Sequence, residues 1–236
     1  MNKVLFKDLG INQDYQQTWD FQENLLAETV AVKSQNREKE KSGQSDFELT
    51  KNHLLFVEHP HVYTLGKSGH IENMLANEDS LKEIDATFVK TNRGGDITYH
   101  GPGQLVGYPI FDLDNFKPDI HLYMRNLEDV IIKTIANYGL KGERSSGETG
   151  VWLDVGKPYA RKICAMGVKA SRWVTMHGFA LNVNSDLKYF EYIIPCGIKD
   201  KAVTSMEREL NQKLNMEDVK MQTKSSFQEV FDLEII

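Results

Sequence analysis

With 236 residues, 40% of them hydrophobic, the chain is long enough to bury one sizeable core, and one domain spanning residues 1–236 is expected. A net charge of −6 with no dense run of Lys and Arg argues against a nucleic-acid partner, and no apolar stretch approaches the roughly 20 residues that cross a bilayer. Two cysteines fit a reducing compartment better than a disulfide framework, and the start MNKVLFKDLG turns polar too soon for a secretory signal, so a cytoplasmic protein is expected.

Tyr15, Trp19, Leu26 and Val30 recur at helical spacing and predict a packed helix over about 14–32. The charged stretch KSQNREKEKSGQSD (33–46) follows, expected as the frayed end of that helix or an exposed loop, and too early in the chain to bound a separate domain. HLLFVEH reads as a strand and HPHVYTLGKSG as a Pro- and Gly-punctuated loop. Residues 86–111 then read as strand, glycine-rich loop and strand: ATFVKTN, RGGDITYHGPGQ, LVGYPIF. Ile120, Met124, Leu127, Ile131, Ile135 and Tyr138 form one apolar stripe of a helix over 119–138, with Gly139 suited to its C-terminus. GVWLDVGKPYARKICAMGVKA reads as a hairpin turning at Gly156, Lys157 and Pro158, and WVTMHGFALNVN as a further strand. Thr204 and Glu207 suggest a capping box for a helix at 205–212, and Val219, Phe227 and Phe231 mark a last helix over about 216–232. Strands in the middle with helices at both ends and one between imply a mixed α/β or α+β domain around one sheet.

Three features invite a chemical reading. RGGDITYHGPGQ packs four glycines, an arginine and a histidine into twelve residues, which suits close backbone approach to a ligand, although a long tight hairpin would use the same residues. It lacks the ending of a P-loop and the spacing of a dinucleotide fingerprint. His177, inside the apolar VTMHGFAL, reads as a satisfied core histidine, and His59 and His61 have no partners at metal-ligand spacing, so no metal is expected. Finally, Cys196 follows Lys162 by 34 positions, across a segment that reads as two strands and a turn. Such a segment can fold back to set a thiol beside an amine, the pairing that acyl transfer requires; the alternative is a small buried cysteine and a surface lysine. Cys164, two residues from Lys162 on an apolar strand, is the rival thiol, whereas Cys196 lies between Pro195 and Gly197 in a turn-like context.

Taken together, RGGDITYHGPGQLVGYPI, RKICAMGVK, MHGFALNVN and PCGI resemble the lipoyl(octanoyl) transferase family over about residues 53–210. The resemblance implies an α+β fold, a mixed sheet flanked by helices, similar to the biotinyl/lipoyl protein ligases. It implies Cys196 as an acyl-thioester nucleophile and Lys162 as the residue that lowers its pKa. It also implies substrate-binding positions at Arg93, Gly94, Gly95, Asp96, Ile97, Thr98, Tyr99 and His100, at Ala165, Met166 and Gly167, and at Gly178, Phe179 and Ala180. No cofactor is implied. The implied donor is octanoyl-acyl carrier protein, and the implied acceptors are lipoyl domains of 2-oxoacid dehydrogenases and the glycine cleavage H protein. The stretch at 33–46 looks like an insertion and carries no implied function. On this reading an alkyl chain lies against the backbone at Gly94, Gly95, Gly167 and Gly178, with His100 and Arg93 near its carbonyl end. Two alternatives remain at this stage: an ATP-dependent ligase of the same fold, and a non-catalytic protein that binds acyl carrier protein or lipoyl domains.

Overall fold

A computed structural model describes residues 1–194 and 202–236. Its main sheet is built from Asn2–Asp8 (β1), Asn52–Val57 (β2), Gln104–Ile110 (β6), Val174–Asn182 (β10), Arg161–Ser171 (β9), Glu148–Leu153 (β8), Glu143–Ser145 (β7) and Leu233–Ile235 (β12). The order is β12-β1-β2-β6-β10-β9-β8-β7. β1 runs parallel to both β12 and β2, while the pairs from β2 to β7 are antiparallel, so the sheet is mixed. A short strand Ala202–Val203 (β11) adds in parallel to the start of β9.

Both faces of this sheet are covered. The helix Ile120–Ala136 (α3) turns its buried stripe, Tyr123, Leu127, Val130, Ile131 and Ile135, onto one face. It shares that face with Phe227 and Phe231 of Met216–Phe231 (α5), against Leu105, Phe179, Leu181 and Val151. On the other face Leu25 and Leu26 of Tyr15–Lys41 (α1) pack on Val57, Val106, Tyr108, Met176 and Ala180. No described helix is long and apolar enough to cross a membrane.

The structure corrects three expectations. The first concerns the charged stretch, which is neither loose nor all loop: α1 continues to Lys41. Lys33 is buried and paired with Asp112 and, at 2.5 Å, Asp114, so the run starts with a fixed ion pair. Asn36 and Lys39 then hold the returning chain through the Glu48 and Asp46 carbonyls. Secondly, two segments read as loops contain strands, Val62–Leu65 (β3) and Ile97–His100 (β5). With Thr87–Lys90 (β4), which follows the small helix Glu78–Glu83 (α2), they form a separate sheet of order β4-β3-β5. Four-residue strands flanked by Gly, Pro and His are too short for their alternation to outweigh the turn signals. Thirdly, the helix Met206–Leu210 (α4) is capped by Ser205, whose hydroxyl accepts from Arg208 N at 3.2 Å, while Thr204 donates to Glu209 Oε1 at 2.5 Å.

Candidate active site

A cavity of about 870 Å³ opens between the strand pair β9–β10 and the small sheet, with Tyr15 of α1 among its lining residues. One wall is the segment from Arg93 into β5. It is held to β9 by Gly94 N, which donates to Val168 O at 2.9 Å. Gly95 sits at φ +89°, a conformation that favours glycine. The Arg93 guanidinium is buried and donates to Thr64 O at 2.6 Å, Thr64 Oγ1 at 2.9 Å and Gly94 O at 3.0 Å. Asp96 accepts from Ile97 N at 2.7 Å, from Asn73 Nδ2 at 2.6 Å and from His70 N at 3.2 Å. Both charged residues of the glycine motif therefore brace the loop itself.

His100 ends this wall. Its Nδ1 pairs with Gln104 Oε1 at 2.9 Å, and its ring stacks on Tyr15 with centroids 5.7 Å apart. Burial, with His59 as the next cause, holds its pKa well below the ordinary value, so the ring is neutral. Gln104 in turn donates to Asn182 Oδ1 on the neighbouring strand at 2.9 Å, so a neutral hydrogen-bonded chain runs from β5 through β6 to β10.

Lys162 stands where β9 begins. It is 8% exposed, and its Nζ lies 4.6 Å from the Trp152 ring centroid. Its carbonyl accepts from Thr204 N at 2.9 Å, and Lys162 itself pairs with Val203 of β11. Cys196 lies outside the described residues. The described chain on either side of its segment is anchored: Ile194 N donates to Asn73 O at 2.8 Å, and Ala202 and Val203 pair with Arg161 and Lys162. Cys164 is fully buried on β9, and burial pushes its thiol pKa far up, which leaves it unreactive.

Of the expected substrate-binding residues, Arg93, Gly94, Gly95, Asp96, Ile97, Thr98 and His100 line the cavity, as do Ala165, Met166, Gly167, Gly178, Phe179 and Ala180, and so does Lys162. Tyr99 does not. Strand alternation turns it into the cluster of Tyr63, Leu65 and Ile193, where its hydroxyl pairs with His61 Nδ1 at 2.7 Å. The glycines also differ from expectation in their reason. The position a Cβ would take at Gly178 falls on Gly107 O, and at Gly167 it lies 2.6 Å from Gly94 O. At these two glycines the Cβ direction is taken up by a neighbouring backbone, so a side chain would clash with the fold, while both residues still line the cavity.

Sequence reasoning passed over Tyr15, Gln104, Tyr108 and Asn182, which also line the cavity, and read His177 as core. Gln104 and Asn182 carried a signal: each is a polar residue at the end of a strand that is otherwise buried along its length. Tyr15 carried none beyond its place in an amphipathic stripe.

Residues 14–228 match the family model described as lipoyl protein ligase A/B catalytic domain. The octanoyltransferase of Christiangramia forsetii is 63% identical over 238 residues, covering 100% of this chain and 99% of its own. That of Flavobacterium psychrophilum is 59% identical over 238 residues, covering 100% of both chains. Among solved structures, a bipartite lipoate protein ligase from Thermoplasma acidophilum superposes with a TM-score of 0.69 at 15% identity, covering 100% of this chain and 85% of that one. A lipoate-protein ligase A bound with ATP gives 0.66 at 15% identity, covering 100% and 89%. At such identity these two structures speak for the fold alone, an α+β architecture with mixed sheets.

Proposed function

This chain belongs to the lipoyl protein ligase A/B catalytic-domain family and is an octanoyltransferase that serves protein lipoylation, and we propose that it moves the octanoyl group through a thioester on Cys196 with Lys162 as proton carrier. The acceptors are lipoyl domains, here proposed to include those of 2-oxoacid dehydrogenases and the glycine cleavage H protein. The donor is octanoyl-acyl carrier protein, and the site of action the cytoplasm.

One observation carries the mechanism. Lys162, which lines the cavity, is hydrogen-bonded through its backbone to the strand that resumes the chain six residues after Cys196. In the first step the Cys196 thiolate attacks the donor carbonyl. The new Sγ–C bond replaces the bond to the pantetheine sulfur, and the departing thiolate takes a proton from the Lys162 ammonium. In the second step a lysine amine of the lipoyl domain attacks the acyl-enzyme. An amide C–N bond forms, the Sγ–C bond breaks, and the amine's surplus proton passes to the Lys162 amine. Exchange of one thioester for another is nearly isoenergetic and amide formation is downhill, so no nucleotide is consumed.

The cavity suits the substrate. Pockets for small ligands run to about 300–1,000 Å³, and this one has room for an eight-carbon chain and part of the arm that delivers it. Its polar lining at His100, Gln104 and Asn182 is uncharged and internally hydrogen-bonded, which lets a neutral acyl group enter without stranding a charge.

The test is intact-mass spectrometry of the full chain after mixing with octanoyl-acyl carrier protein without ATP. An octanoyl adduct that maps to Cys196, disappears in Cys196→Ala and is discharged by a lipoyl domain is expected. An adduct on another residue, or transfer that begins only when ATP is added, overturns the thioester mechanism.

A further inference from the structure

Lys162 lines the cavity together with the exposed Gly147 and Thr149, and His177, 1% exposed, lines it together with Gly178 and Tyr15. His177 pairs across the strands with Val168, six residues along β9 from Lys162, which at about 3.3 Å per residue places the two roughly 20 Å apart.

The protonation of His177 follows from its neighbours. The Glu23 carboxylate can only accept, so Asn92 must turn Nδ2 to it, at 2.8 Å. Asn92 Oδ1 then accepts from His177 Nε2–H, also at 2.8 Å. Lys169 Nζ and Trp19 Nε1 hold Glu23 in place at 2.9 and 3.2 Å. With Nε2 carrying the proton, Nδ1 is a bare acceptor. It is buried, and no described residue offers it a donor. Burial first, then the charges of Arg93 and Lys169, depress the His177 pKa to about 3, so the ring stays neutral near pH 7. The residue also holds φ +57° inside a strand, a strained conformation of the kind that persists at functional sites.

We propose that His177 sets the acyl chain length, by holding a water on Nδ1, far along the strands from Lys162, that a chain longer than eight carbons must displace. This rests on the octanoyl-transfer reading. An extended eight-carbon acyl group spans about 9 Å and the lysine stem about 6 Å, from carbon–carbon bonds of about 1.5 Å. The remaining roughly 5 Å is taken up by the His177 ring and the water hydrogen-bonded to it, so an eight-carbon chain reaches that water and a longer one displaces it. A longer chain pushes methylenes against a dry acceptor, whose lost hydrogen bond weakens binding about tenfold. His177 is thus a specificity-determining residue, fixed by a relay from Glu23 through Asn92.

The experiment compares kcat/KM for octanoyl-, decanoyl- and dodecanoyl-acyl carrier protein in the full-length wild type, His177→Met and His177→Gly. Methionine has similar bulk without an acceptor, and glycine suits the left-handed backbone, so a folded variant is in hand even where methionine strains the strand. The decanoyl-to-octanoyl ratio is internal to each variant and does not move with partial loss of folded protein. An increase of about tenfold in both variants is expected. A ratio within twofold of wild type in either folded variant overturns the proposal; an increase in His177→Gly alone makes the limit steric. A wild type that transfers no octanoyl group sinks the functional reading, whereas octanoyl transfer with unmoved ratios sinks this inference alone.

Discussion

Replacing Gly178 should damage the fold before it damages ligand binding. A Cβ there falls on the carbonyl oxygen of Gly107 and 2.7 Å from Pro109 Cδ, both on the neighbouring strand β6. β10 is paired on both sides, with β6 and β9, and helices cover both faces, so the backbone has no cheap direction in which to yield. Overpacking of a core costs about 1–3 kcal/mol, and a clash with backbone belongs at the top of that range. About 3 kcal/mol in a chain of this size lowers Tm by about 6–12 °C. Gly94 is the control: among the described residues its added methyl meets only Val168 O, at 3.3 Å, so Gly94→Ala should melt within about 3 °C of wild type. Thermal melts and urea titrations of Gly178→Ala, Gly178→Leu and Gly94→Ala, read beside octanoyl loading per folded molecule, make the comparison. Should Gly178→Leu melt like wild type yet refuse the acyl group, the steric argument is wrong and the glycine serves the ligand directly.

Three further outcomes are expected. Lys162→Ala should raise the pKa seen in the pH profile of Cys196 alkylation and slow acyl-enzyme formation, with Lys162→Arg a poor substitute because a guanidinium cannot take up a proton; an unchanged profile would separate the two side chains. Cys164→Ala should keep most of its transfer activity, since that thiol is fully buried and its pKa is raised by burial; an octanoyl adduct on Cys164 would reverse the assignment. His59, buried between Gln13 O at 2.7 Å and Tyr108 OH at 2.8 Å, has its pKa depressed by burial from 6.5 to about 4. Below pH 6.5 the unfolded chain protonates this residue and the folded one does not, so stability should fall between about pH 6.5 and 4 by up to about 1.4 kcal/mol per unit. Urea midpoints across that range should show the slope in wild type and a shallower one in His59→Gln.

The sequence was most readable where periodicity runs long. α3 and α5 were legible because a stripe such as Leu127, Ile131 and Ile135 repeats over four turns, and β10 because it is a nine-residue, mostly apolar run. Of the small sheet only β4, within ATFVKTN, was legible; β3 and β5 were not, since they have four residues each and their partners are distant: Val62 pairs with His100, and Arg93 is held by Thr64. His177 shows the same limit from the other side. Its apolar neighbours suggested a satisfied core residue, and the tautomer that leaves Nδ1 an acceptor depends on Asn92 and Glu23, which lie far away in the chain.

In the glycine motif, residue type leaves the role of a charge open, and Arg93 and Asp96 are the charged members of RGGD. In the fold the guanidinium is engaged by the carbonyls of Thr64 and Gly94, and the carboxylate by Asn73 and two backbone amides. Charges engaged in this way stiffen the wall, and the polar groups beyond them on the same wall, at Thr98, His100 and Gln104, are neutral. For a substrate whose recognised portion is an uncharged alkyl chain this is the favourable arrangement, because burying such a chain against an unpaired charge costs more than the chain's own transfer from water returns. The prediction that follows is directional. Asp96→Asn keeps the shape but weakens the acceptor for Asn73, and should loosen the loop and raise KM for the acyl donor more than it lowers kcat. A collapse in kcat with KM unchanged would instead place the Asp96 carboxylate in the chemistry.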